Sequence, residues 1–170
     1  MRKSSRGFSL IELLIVVAII LIIAAIAIPN LLRSRIAANQ ASAVGSLRTL
    51  NTAEVTYSVT YNTGYTQYLG YLGPNGTLSP VLTASGLIDS VLAGSAAGTA
   101  TATTSSKSGY TFLYTPGAID TTGRYNTYSI TATPVNAGTT GTNFYYTDQS
   151  GVIRQNSTAV AGSSDSPLAG

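Results

Sequence analysis

Hydrophobic and polar positions divide the chain into stretches of different period. From Phe8 to Ile28 only Ser9 and Glu12 are polar, and Leu13 to Ile28 consists of Leu, Ile, Val and Ala alone. About twenty apolar residues, each rising about 1.5 Å, span roughly 30 Å of hydrocarbon, so this run predicts a membrane-crossing helix. Beyond Pro29 apolar residues recur near helical spacing at Leu32, Ile36, Ala43, Leu47, Leu50, Tyr57 and Tyr61, with Arg33, Arg35, Asn39, Gln40, Arg48 and Asn51 elsewhere. The pattern reads as one long helix, apolar all round in its first half and amphipathic in its second. Pro29 removes a backbone hydrogen bond and crowds the carbonyl four residues back, so the helix either ends there or kinks near Ala25 to Pro29. The resumed periodicity favours a kink.

Asn62-Thr63-Gly64 predicts the end of this helix, because glycine is the usual residue just past a C-terminus. Tyr65 to Pro80 reads as a Gly- and Tyr-rich connection, and Leu87, Ile88, Val91 and Leu92 predict a short helix over Ala84 to Ala93. Ala93 to Ser108 is a tract of Ala, Gly, Thr and Ser with too few large apolar side chains for a core, hence an exposed loop. Tyr110 to Thr115, Tyr125 to Thr133, Asn143 to Asp148 and Gly151 to Gln155 carry aromatic and β-branched residues bounded by Gly, Pro, Asn and Asp. They predict four strands in an antiparallel meander, with a hairpin turn at Asp148-Gln149-Ser150-Gly151. Such a sheet cannot bury its inner face alone, and Leu47, Leu50 and Tyr57 offer the matching surface. The predicted class is α+β: a long kinked N-terminal helix on a small antiparallel sheet of about four strands.

Composition narrows the chemistry. The chain has no Cys and no His, which removes disulfides, thiolate or imidazole metal sites and the Ser-His and Cys-His nucleophile pairs. Thr104-Ser105-Ser106-Lys107 misses the S-x-x-K pattern, and Asp89, Asp120, Asp148 and Asp165 are scattered singly, as turn and surface residues are. No enzyme, cofactor or metal site is expected. The formal charge of +3 would suggest nucleic acid, except that Arg2, Lys3 and Arg6 precede the apolar run and the remaining Lys and Arg match the acids in number. Those three basic residues orient the span instead: the positive-inside bias puts Met1 in the cytoplasm and everything after Pro29 outside. The eleven tyrosines are read as cover for the sheet, with hydrogen bonds at their tips.

A plain membrane anchor and a cleaved secretory signal, the latter helped by Ala25-Ile26-Ala27, both accommodate this topology. Neither has a use for Glu12, since a carboxylate costs about 2.5 to 3.5 kcal/mol at the centre of a membrane helix and less near the interface. A cut after Gly7 would create an α-amine on Phe8, one helical turn before Glu12. An amine of one copy could then neutralise the carboxylate of its neighbour.

The run Lys3-Ser4-Ser5-Arg6-Gly7-Phe8-Ser9-Leu10-Ile11-Glu12-Leu13 resembles the leader of type IV prepilins and pseudopilins. More loosely, residues 42–54 and 144–154 resemble stretches of pilin-like proteins. The resemblance implies that a prepilin peptidase cuts between Gly7 and Phe8, that Phe8 is N-methylated, and that Glu12 aligns subunits during assembly. It implies the pilin fold, a homopolymer assembled by an inner-membrane platform, and a precursor that sits in the inner membrane before joining an extracellular filament. Roles in adhesion, twitching motility or DNA uptake go with such filaments; the alternatives are a type II secretion pseudopilin or, further off, a singly anchored or signal-released extracellular binding domain. The expected divisions are a removed leader (1–7), a transmembrane and filament-core helix (8–29), the amphipathic helix (30–61), a connecting and low-complexity loop (62–108), the sheet (109–155) and a flexible tail (156–170). The chain departs from familiar major pilins in lacking a C-terminal cysteine pair, and it has no acidic cluster like the calcium site of the major secretion pseudopilin.

Overall fold

The computed structural model describes residues 8–74, 80–94 and 101–168. A single helix, α1 (Leu10–Tyr61), remains helical through Pro29, so a helix that ends at the proline is excluded. The chain forms two compact units, one ending at Arg35 and one beginning at Ile36. In the first, side chains of the apolar run are exposed along the helix. In the second, the remainder of α1 carries a buried stripe of Ala43, Val44, Leu47, Leu50, Ala53 and Tyr57, the face that the helical periodicity marks out.

This stripe is covered by a five-stranded antiparallel meander, β1 (Thr104–Lys107), β2 (Tyr110–Pro116), β3 (Tyr128–Pro134), β4 (Phe144–Asp148) and β5 (Arg154–Asn156), in that spatial order. Strand period two decides which side chains join the core. Tyr110, Phe112 and Tyr114 of β2 point inward, as do Tyr128, Ile130 and Ala132 of β3, with Ile130 opposite Tyr114 and Ala132 opposite Phe112. At roughly 25 cal/mol per Å² of apolar area, these aromatic and branched side chains supply most of the driving force for holding sheet to helix.

The sheet has one strand more than the sequence predicts. β1 lies at the end of the tract read as an exposed loop, because Ser108 (φ 50°) and Gly109 (φ 74°) both adopt left-handed backbone. A two-residue turn with both central residues at positive φ matches the twist of paired strands, and it places Lys107 opposite Tyr110. β3 starts at Tyr128, after the predicted Tyr125. There the Tyr125 carbonyl accepts the Tyr65 amide at 2.7 Å, committing that residue to the connection. β5 starts at Arg154, after the predicted Gly151, since Gly151 sits at φ 73° and donates its amide to the Asp148 carbonyl at 2.9 Å. That bond closes the turn predicted at Asp148 to Gly151.

The short helix predicted over Ala84 to Ala93 does not form. The amides of Ser85, Leu87 and Ile88 bond to the carbonyls of Tyr71 and Leu72, and Gly86 sits at φ 68°, so the donors an α-helix needs are spent across the chain. Regular structure appears instead in the predicted connection, as a 3-10 turn at Leu69–Leu72 that buries both leucines completely. The closing segment, expected as a flexible tail, returns to β5. The Gln155 amide donates to the Ser166 carbonyl at 3.0 Å, the Leu168 amide to the Ile153 carbonyl at 2.8 Å, and Ala161 is buried.

Candidate assembly segment

The residues predicted to matter lie in and before the first turns of α1. Arg2, Lys3, Arg6 and Gly7 fall outside the described residues; Phe8 and Glu12 fall within them. The Ser9 amide donates to Glu12 Oε2 at 2.9 Å, and the Leu13 amide to the Ser9 carbonyl at 3.2 Å. The first four amides of a helix have no carbonyl partners within it, and a carboxylate at the third helical position takes one of them while complementing the helix dipole. Glu12 therefore has a local role in starting α1. A carboxylate accepts up to about four hydrogen bonds, so the Ser9 bond leaves capacity for an ammonium group.

From Leu13 to Ile28 the helix offers only hydrocarbon. Leu10, Ile22 and Ile26 expose 79%, 63% and 65% of their surface, and the residues between them are similarly open. Exposure on every side, not along one stripe, distinguishes this half from the helix of a soluble core: no face can be turned away from water. α1 is the one helix among the described residues long and apolar enough to cross a bilayer. It can be satisfied by lipid or by other apolar helices.

The second unit spends its carboxylates locally. Asp120 Oδ1 accepts the amides of Thr122 (2.8 Å) and Arg124 (2.9 Å) and the Thr122 hydroxyl, and Asn126 donates to its Oδ2, which together hold its carboxyl well below the usual range. Asp148 receives the amide and hydroxyl of Ser150. Asp89 pairs with Lys107 at 2.9 Å, and Asp165 receives Asn156 Nδ2 and the Gly162 amide. These are the turn and surface roles predicted for the scattered aspartates. No group of three His, Cys, Asp or Glu residues comes together among the described residues. A hollow of about 340 Å³ beside β5 is lined by Asn143, Gln155, Asn156 and Asp165, and its one carboxylate is already engaged as above.

The sequence reading missed Glu54. It is completely buried, Thr66 donates its amide to Oε2 at 3.0 Å and its hydroxyl to Oε1 at 2.6 Å, and burial pushes the carboxyl up to about 7 against those two bonds. The signal was present: Glu54 lies four residues after Leu50 and three before Tyr57, on the same apolar stripe. Several tyrosines have hydroxyl tips hydrogen-bonded at the core margin. Tyr110 donates to the Asn143 carbonyl (2.8 Å), Tyr57 to the Leu82 carbonyl (2.8 Å) and Tyr128 to Asn51 Oδ1 (3.0 Å).

Comparison with known proteins singles out the same segment. The family model described as the prokaryotic N-terminal methylation motif matches residues 2–28. The chain is 51% identical over 53 residues to the type IV major pilin protein PilA of Myxococcus xanthus, a match covering 31% of this chain and 24% of that protein. It is 62% identical over 37 residues to the type IV wide pilus major component PilA4 of Thermus thermophilus, covering 22% of this chain and 28% of that protein. The matches thus span about a quarter of the length of these curated relatives. No solved structure matches the chain.

Proposed function

We propose that this chain, which belongs to the type IV pilin family by its N-terminal segment, is a structural subunit that polymerises through that segment into a bacterial surface filament. The observation that supports this most is a helix exposed and apolar on all sides with one carboxylate in its first turn. A subunit with this segment is stable in the inner membrane and equally stable among parallel copies of the same helix, so it can pass from one to the other at little hydrophobic cost.

In this reading Arg2, Lys3 and Arg6 hold the leader in the cytoplasm and put the second unit outside. A prepilin peptidase hydrolyses the Gly7–Phe8 bond, where a residue without Cβ lets the backbone lie flat, and the new amine on Phe8 is methylated. Glu12 of one subunit then takes the amine of a neighbour, keeping its bond to the Ser9 amide. A misregistered subunit would leave both charges unpaired in an apolar bundle, which is strongly penalised, so the pair sets register. Pro29 bends the helix without ending it. Both relatives are pilus major components, which favours a pilus subunit over a secretion pseudopilin.

The test is to shear filaments from the cells that make this protein and to determine the subunit's N-terminus by mass spectrometry. A chain beginning at methylated Phe8 is the expected result. Filaments without this protein, or a mature chain beginning at Met1 or Ile28, would overturn the reading.

A further inference from the structure

Among the described residues no cation pairs with Glu54. Among those residues Thr66 donates two hydrogen bonds to its carboxylate, the Tyr114 hydroxyl lies close enough to favour the charged form as well, and the one ion pair is the distant Lys107–Asp89. The titratable groups around it are tyrosines from each packed element: Tyr57 of α1, Tyr114 of β2 and Tyr128 of β3, none of them positively charged at any pH. Thr66, also completely buried, is held at three atoms, since the Tyr114 hydroxyl donates to its carbonyl at 2.6 Å while its amide and hydroxyl face Glu54. One residue thus joins helix, connection and sheet.

We infer that Glu54, Thr66 and Tyr114 form a pH-sensitive latch, closed when Glu54 is protonated and loosened when it ionises. The neutral acid is satisfied in place: Oε2 accepts the Thr66 amide, and Oε1, once protonated, donates to the Thr66 hydroxyl oxygen 2.6 Å away. The carboxylate has about four acceptor sites and takes two bonds from Thr66, while the neighbouring Tyr114 hydroxyl is committed at 2.6 Å to the Thr66 carbonyl, so the remaining charge demands water, which reaches it only if Thr66 lifts away.

The sign follows from linkage. A folded-state value raised from 4.5 to about 7 means that the closed latch binds the proton more tightly than the open one. Its contribution is complete below pH 4.5 and is lost as pH rises through about 7. Tyrosine ionisation plays no part in this window, because burial pushes the hydroxyls of Tyr57, Tyr114 and Tyr128 upward from 10.

The experiment is amide hydrogen exchange at Thr66 in the full chain in detergent micelles from pH 4.5 to 8, corrected for the intrinsic exchange rate. The opening equilibrium should rise on the order of a hundredfold across that range and then level off. In Glu54→Gln, whose carbonyl and amide nitrogen satisfy the same two Thr66 groups, it should be flat. A flat wild-type profile, or the same rise in Glu54→Gln, overturns the latch. If Glu54→Gln fails to fold, carbon-13 titration of the Glu54 carboxyl in the wild-type chain decides: a midpoint near 7 supports the latch, and one at an ordinary carboxylate value overturns it.

Discussion

The two units of this chain share one helix and use it in opposite ways. In the first, leucines and isoleucines are exposed on every side of α1; in the second, the same helix turns Leu47 and Leu50 entirely out of water. Each unit also carries one glutamate on α1. Glu12 is exposed with its carboxylate on the Ser9 amide, and Glu54 is enclosed with its carboxylate on Thr66. Helix propensity does not distinguish the halves, since both are helical. The difference lies in whether the chain itself supplies the partner surface; a helix without one can be satisfied by lipid or by other apolar helices.

The strongest way to break the comparison is to remove the acid of the first unit. Glu12→Ala leaves the hydrophobic span and the basic leader intact, so membrane insertion and cleavage should proceed. Filament assembly should fail, because deleting one partner of a buried pair costs about 3 to 5 kcal/mol, more than two decades in an association constant per contact. Electron microscopy of sheared material and immunoblotting of inner membranes check this: processed subunit should accumulate with no fibres. Normal fibres in normal amounts would remove Glu12 as the register device.

A matched pair of leucine truncations measures the same contrast in stability. Leu50→Ala empties a site that is 0% exposed and should lower the unfolding free energy of the second unit by about 2 to 5 kcal/mol. Leu14→Ala, at 60% exposure, should leave it unchanged within about 0.5 kcal/mol. Urea unfolding of the full chain in micelles, followed by tyrosine fluorescence, reads both. Equal losses would mean that the first unit supports the core of the second.

The smallest effect belongs to a turn. Asp148→Ala removes acceptors for the Ser150 amide and hydroxyl at the surface between β4 and β5 and should cost about 0.5 to 1.5 kcal/mol in the same assay. A loss as large as that of Leu50→Ala would show that strand register depends on this turn more than on the buried face.

How much could be read along the chain depended on how local the cause was. The end of α1 at Tyr61, the Asp148 to Gly151 turn, three strands near their observed places and the α+β class were legible, because each follows from periodicity or from residues a few positions apart. β1 was hidden by its own composition. Thr104 to Lys107 has strand neighbours only because Ser108 and Gly109 turn the chain back onto β2, and a serine in left-handed backbone is not a turn signal by itself. The helix predicted over Ala84 to Ala93 failed for the complementary reason. Its apolar spacing was adequate, but its amides had better acceptors in Tyr71 and Leu72, which are distant in sequence.

The sequence by itself determined the helix of the first unit: an uninterrupted apolar run is helical and exposed on every side, and neither property depends on residues far along the chain. The tertiary structure decided the second unit's finer features: the fifth strand, the return of residues 161–168 to β5, and the enclosure of Glu54. Those depend on which backbone donors and which apolar faces meet across many residues. A glutamate on a helix reads as solvated until the residues that cover it are known. Tyr114 of β2 and Thr66 of the connection, which close over Glu54, come together only when the sheet docks on the helix.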